Sequence, residues 1–149
     1  MAVSLRDITR ENWRECAGMR VEFSQLHFVG HNLSSLAQSK YEPECVPLAI
    51  YNDEQMVGFV MYRPEDHGLA KIWFIQRLMI GEFHQKKGYG RAAMNILIDR
   101  LRSQPGYNAI LVSVVPQNTV AQKLYKDLGF KDTGEIEKGE LVYRLGISG

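Results

Sequence analysis

Residues 69–91 read LAKIWFIQRLMIGEFHQKKGYGR, and three signals follow one another there. Residues 69–80 are dense in β-branched and aromatic side chains, with both faces largely apolar, the pattern of a central strand. QKKGYGR (85–91) then joins two lysines, two glycines and an arginine. Beyond it Tyr89, Ala92, Ala93, Ile96, Leu97 and Leu101 recur at i, i+3, i+4 spacing, which predicts a helix over 88–103 stopped by Pro105-Gly106. A buried strand, a glycine loop and a helix in this order set unpaired backbone N–H groups and the positive end of a helix dipole at the loop, where an anion is favoured. Gly88 and Gly90 permit positive φ and the close approach of a phosphate. Gln85, Lys86, Lys87 and Arg91 add side-chain donors. Local physics leaves two readings open, a phosphate cradle and a plain strand–helix turn. The third glycine of a dinucleotide fingerprint would fall at Ala93, and there is no GxxxxGK[ST], so dinucleotide and triphosphatase chemistry are disfavoured.

Upstream, VSLRDI (3–8) alternates like a half-buried strand. Thr9 is positioned to cap a helix that starts near Trp13 and is expected to run to about residue 25. Residues 27–44 are the least decided stretch, with a short helix expected over Ser34 to Lys40. VPLAIYN (46–52) and QMVGFVMYR (55–63) predict a hairpin around Asn52-Asp53-Glu54, followed by a polar loop from Pro64 to Gly68. Downstream, NAILVSVVP (108–116) is a second buried strand. NTVAQKLYKDLGF (118–130) is a helix with Asn118 as N-cap, Gly129 just past its end and Phe130 beyond it. FKDTGEIEKGELVYRLG (130–146) is two strands around Lys138-Gly139. The whole predicts one mixed α/β domain spanning residues 1–149.

The bulk numbers exclude several classes. The formal net charge is +1, from 18 basic and 17 acidic residues, far below that of a domain that wraps nucleic acid. With 45% apolar and 23% charged residues the chain can fill a core, so disorder is not expected. Cys16 and Cys45 have no CxxC spacing and no matching histidine cluster; both read as buried small hydrophobes, and no metal is expected. No signal peptide and no membrane span are expected, so a cytoplasmic protein without a membrane partner is the default.

Several of these segments carry a resemblance. Arg77-Leu78-Met79-Ile80, the Gln-x-x-Gly-x-Gly of residues 85–90, Val114 through Asn118, and Leu124-Tyr125-Lys126-Asp127-Leu128-Gly129-Phe130 together resemble the GNAT superfamily of acetyl-CoA-dependent N-acetyltransferases. The resemblance covers nearly the whole chain. It implies a mostly antiparallel mixed sheet with helices on both faces. It also implies a strand at Gln76 to Ile80 that splays from Leu111 to Val115, with acetyl-CoA in the cleft. Backbone groups of Leu78, Met79 and Ile80 would bond the pantetheine arm. Gln85, Lys86, Lys87, Gly88, Tyr89, Gly90 and Arg91 would cradle the pyrophosphate. Asn118 would touch the pantetheine, and Lys123 would reach a phosphate. Tyr125, which by its helical face reads as a core tyrosine, would protonate the departing thiolate. A homodimer is the assembly the resemblance implies.

The acceptor must lose a proton to become a nucleophile. Glu82, His84 and Glu22 are candidate bases, each equally readable as a solvated residue. The tail TGEIEKGELVYRL and the stretch WFIQRLMI…QKKGYG look most like bacterial spermine/spermidine acetyltransferases. Glu135, Glu137 and Glu140 would then draw a polycationic amine toward the cleft. Where polyamine-type relatives would carry an acid before Arg77, this chain has Gln76, itself a candidate substrate contact. The alternatives are another amine (an aminoglycoside, an amino acid or a protein N-terminus) and a non-catalytic acyl-CoA-binding module.

Overall fold

The structure is a computed structural model and describes residues 1–21 and 31–147. Among these, seven strands form one sheet: β1 (Val3–Asp7), β2 (Val46–Asn52), β3 (Gln55–His67), β4 (Ala70–Ile80), β5 (Ala109–Val114), β6 (Lys131–Glu137) and β7 (Glu140–Gly146). Their order is β1-β2-β3-β4-β5-β7-β6, and every pairing is antiparallel except β4 with β5. The helices are α1 (Trp13–Gly18), α2 (Asn32–Tyr41), α3 (Tyr89–Arg102) and α4 (Thr119–Asp127).

Strand alternation divides the buried side chains into two cores. Leu48 and Ile50 of β2 join Val60 and Tyr62 of β3 under α3 and α4, where Ala93, Met94, Leu97 and Leu101 are buried. Ala49 and Tyr51 turn the other way, with Phe59 and Met61, under Cys16 of α1 and Leu36 of α2. The sheet therefore carries helices on both faces. Both cysteines are free and buried in this second core, and burial pushes the Cys16 thiol up to about 12.

A bulge in the central strand positions the site. Met61 lies opposite Arg77 and Tyr62 opposite Ile75, so Gln76 is the extra residue of β4. Trp73 and Ile75 join the first core before the bulge, and Leu78 and Ile80 pack against that core after it. Pairing of β4 with β5 spans Ile72–Ile75 and Ala109–Val112 and ends at the bulge. β5 continues beside β7 as far as Val114, opposite Leu141. Leu111 and Val112, expected within the splayed stretch, are still paired; the strands part only beyond them. Behind the splayed half, Gly58 faces Ile80, and a Cβ there would lie 2.5 Å from the Met79 carbonyl oxygen. Glycine lets β3 back the bulged strand this closely.

Three expectations change. The first helix ends at Gly18, not near residue 25, because Met19 is extended with ψ 138 and packs toward the second core; residues 22–30 lie outside the described residues. Its N-cap is Asn12, whose side chain accepts from the Thr9 N–H, while the Thr9 hydroxyl accepts from the Glu11 N–H. Residues Pro64 to His67 are strand, not loop. β2 stops at its Val46–Tyr62 pair, and among the described residues no strand pairs with that edge of β3 beyond Tyr62, an edge position of the kind that tolerates proline. Elsewhere the expected elements form, including the 32–41 helix and the final hairpin, whose Lys138 and Gly139 both take positive φ.

Candidate active site

Where β4 and β5 separate, a cleft of about 570 Å³ opens through the sheet. Leu78, Val114, Ala121 and Tyr125 line it from the α3/α4 side. Phe74, Gln76, Leu111 and Ser113 line it from the strands. Its outer walls are Arg63, Glu65 and His67 of β3 and Glu137, Lys138 and Glu140 of the final hairpin. On the α4 side the wall is fixed by its own helix. The Asn118 side chain accepts from the Ala121 N–H at 3.1 Å, capping α4. At the other end Phe130 N–H bonds the Tyr125 carbonyl and Gly129 N–H the Lys126 carbonyl, with Gly129 at φ +100, a Schellman closure. Tyr125 is thus held between caps, its ring 5.7 Å from Phe130 and 6.3 Å from Tyr143. It is 6% exposed, and burial pushes its phenol up to about 12.

The glycine loop leads from β4 into α3. Gly88 is the N-cap of α3 at φ +84, and Lys86 is also left-handed at φ +64. Gln85 donates to the Ile80 carbonyl at 3.0 Å, tying the loop to the end of the splayed strand. Lys86, Lys87 and Arg91 are exposed. Tyr89 is engaged in the fold: its hydroxyl accepts from Asn52 at 3.0 Å, and its ring packs against the first core. Arg91 and Lys123 both meet one Asp127 oxygen, at 3.0 and 3.1 Å, and these bonds hold the Asp127 carboxyl below the usual range. The expected phosphate-side cations therefore share a counter-ion. Gly90 sits within the first helical turn, where an added Cβ would meet Ile80 and Leu124 at ordinary contact distance.

Of Leu78, Met79 and Ile80, Leu78 lines the cleft while Met79 is buried in the second core. On the side away from β3, no strand pairs with residues 76–80 among the described residues. Gln76 lines the cleft, donates weakly to Gln38 of α2 at 3.5 Å, and keeps a buried Oε1 with no partner among the described residues. Glu137 and Glu140 line the cleft; Glu135, Glu82 and His84 are not among its lining residues, and Glu22 lies outside the described residues.

Sequence reasoning missed a polar wall. Arg63 bonds Glu65 at 2.7 Å, and the His67 ring meets the other Glu65 oxygen at 2.9 Å. Arg63 also stands 5.1 Å over the Phe74 ring. The signal was present as the alternation Arg63-x-Glu65-x-His67, which continues the strand period through a proline taken for a loop. Arg77 was also missed as a wall residue. It donates to the buried Ser35 hydroxyl at 2.9 Å, and desolvation lowers its pKa while Glu140 raises it.

The family model described as "Acetyltransferase (GNAT) family" matches residues 3–130. A spermine/spermidine N(1)-acetyltransferase of Bacillus subtilis is 28% identical over 148 residues, covering 95% of this chain and 97% of that protein. Among solved structures, Arabidopsis thaliana NAA60 in complex with acetyl-CoA superposes with a TM-score of 0.75 at 15% identity, covering 99% and 100% of the two chains. Spermidine N-acetyltransferase from Vibrio cholerae, in complex with CoA and spermine, superposes with 0.74 at 16% identity, covering 97% and 95%. At these identities the structural likenesses speak for the fold.

Proposed function

The chain belongs to the acetyltransferase (GNAT) family, whose acyl donor is acetyl-CoA; from that premise we propose that its acceptor is a polyamine or diamine of the spermidine type and that Tyr125 is the general acid. The polyamine reading is carried by the 28% identity to a spermine/spermidine acetyltransferase along nearly the full length of both chains. When bound, acetyl-CoA supplies a thioester whose acetyl group passes to the amine with loss of the thiol.

The donor set fits that ligand. The edge of Leu78, Met79 and Ile80 away from β3, unpaired among the described residues, would take an extended amide arm as a further strand, and the amide of Asn118 would meet the same arm from α4. Residues Gln85 to Arg91, with Lys86 and Gly88 left-handed, would cradle a pyrophosphate at the start of α3. Lys123 would add charge from α4. Tyr125 keeps its proton at neutral pH because burial favours the neutral phenol. Its place in the cleft wall lets that proton pass to a leaving sulfur. Gln76, a neutral acceptor at the bulge, would orient the amine without retaining its proton.

Purified protein with acetyl-CoA and a panel of amines, read by thiol release, tests this reading. Turnover of spermidine, spermine or short diamines is expected. Turnover confined to another amine class refutes the polyamine assignment, and CoA binding without acetylation of any acceptor leaves a binding module. One observation favours a second acceptor class. Arg77 is a half-buried guanidinium in the cleft wall, suited to a carboxylate-bearing amine such as an amino acid or a protein N-terminus. Sedimentation of the purified chain tests the homodimer.

A further inference from the structure

We propose that Glu65 is a specificity-determining residue that anchors the far ammonium of the acceptor, so that the cleft selects amines carrying a second positive charge at a distance. The proposal rests on the polyamine reading above and adds to it a residue and a length. Three observations carry it. β3 outruns β2, so among the described residues Glu65 stands on an arm paired with β4 alone. Glu65 lines the same cleft as Gln76 and Tyr125, yet it lies opposite Ile72, four residues before the bulge. At about 3.3 Å per residue, it sits roughly 13 Å along the strand from Gln76. A compact monoamine held at Gln76 cannot bridge that span; an extended polyamine can.

The carboxylate is also preset for the task. Glu65 is 25% exposed and accepts from Arg63 Nε and Nη2 on one oxygen, with His67 on the other. These contacts fix its orientation and use three of the roughly four acceptor positions a carboxylate offers. One position is left for an ammonium N–H, and Glu137 faces the cleft from the hairpin wall. Of the cations in these walls, Arg63 is bound by Glu65, and Arg77 donates to Ser35 and feels the charge of Glu140. Lys138 stands at an exposed turn.

The test is a series of α,ω-diamines of increasing length, with spermidine and n-butylamine, at saturating acetyl-CoA on wild type and Glu65→Gln. In wild type, KM should fall about tenfold or more once the chain is long enough to reach Glu65, with kcat little changed. In Glu65→Gln that step should vanish, while KM for n-butylamine stays as in wild type. If KM shows no length step in wild type, or if Glu65→Gln shifts KM for monoamine and spermidine alike, the anchor is refuted and the polyamine reading stands. If no diamine or polyamine is acetylated at all, both fall. Even where the variant fails to fold, a wild-type series without a length step refutes the anchor.

Discussion

The two ends of the cleft are built in different ways. At the α4 end, Asn118, Ala121 and Tyr125 occupy successive turns of one helix, whose N-cap and Schellman closure lie within the same short run of chain. At the outer end, the wall is assembled from the arm of β3, the bulge of β4 and the β6–β7 turn, with Gln38 and Ser35 of α2 bonded to Gln76 and Arg77. The first end is rigid because local hydrogen bonds fix it. The second combines ion pairs within β3, Glu65 with Arg63 and His67, with side-chain hydrogen bonds between segments distant in sequence, Gln76 to Gln38 and Arg77 to Ser35. Substitutions at the α4 end should therefore act on the chemistry common to the family, and substitutions at the outer end on the choice of amine.

The sharpest way to break this division is Tyr125→Phe. It should lower kcat by about 10²-fold or more while CoA affinity holds, measured by steady-state turnover and calorimetric titration. An unchanged kcat removes Tyr125 from the reaction. Next in size is Gly88→Val, which forces a β-branched residue to φ +84 at the start of α3. Backbone strain of about 1–3 kcal/mol at such a position corresponds to roughly one decade of affinity, so CoA should bind about tenfold more weakly or worse. Unaltered affinity would count against the cradle. Smaller still is Asn118→Ala, which removes the α4 cap and should lower stability by about 1 kcal/mol, or about 2–4 °C in Tm. No shift in Tm would mean that α4 is held by packing alone.

The last expectation is an absence of change. Because burial raises the Tyr125 phenol to about 12, its proton stays on beyond the range where a free phenol ionises. The pH profile of kcat should therefore show no descending limb below about pH 10, the ordinary tyrosine value. A limb centred near about pH 9 would assign the acid elsewhere. The sign for stability follows. With the folded pKa raised, the contribution of Tyr125 is fully present below about 10 and is lost as pH climbs through about 12, because the unfolded chain releases its proton first.

The α4 end was legible in the sequence because its signals are local. An Asn cap, an i, i+3, i+4 stripe and a glycine just past the helix end are each set by neighbouring backbone groups. The glycine loop was legible for the same reason, although Tyr89 proves to be tied to Asn52 and Arg91 and Lys123 to Asp127. The wall of Arg63, Glu65 and His67 was not, because Pro64 reads as a breaker until the open edge beside it is seen. Glu135, read as beside the cleft, shares a hairpin with Glu137 but falls within the register shift of β6 between Asp132 and Ile136, outside the lining residues.

By itself, then, the sequence determined the elements and their order, the capped helix that carries Tyr125, and the family resemblance. The elements and the cap depend on period, propensity and capping, which act over a few residues, and the resemblance rests on short motifs such as Gln-x-x-Gly-x-Gly at 85–90. Only the tertiary structure decided that the bulge falls at Gln76, that β4 leaves β5 after Ile75, and that Glu65 reaches the cleft from a strand outrunning its neighbour. Each depends on which residues stand opposite one another across a sheet. Register is set by two strands together, and neither strand carries it alone.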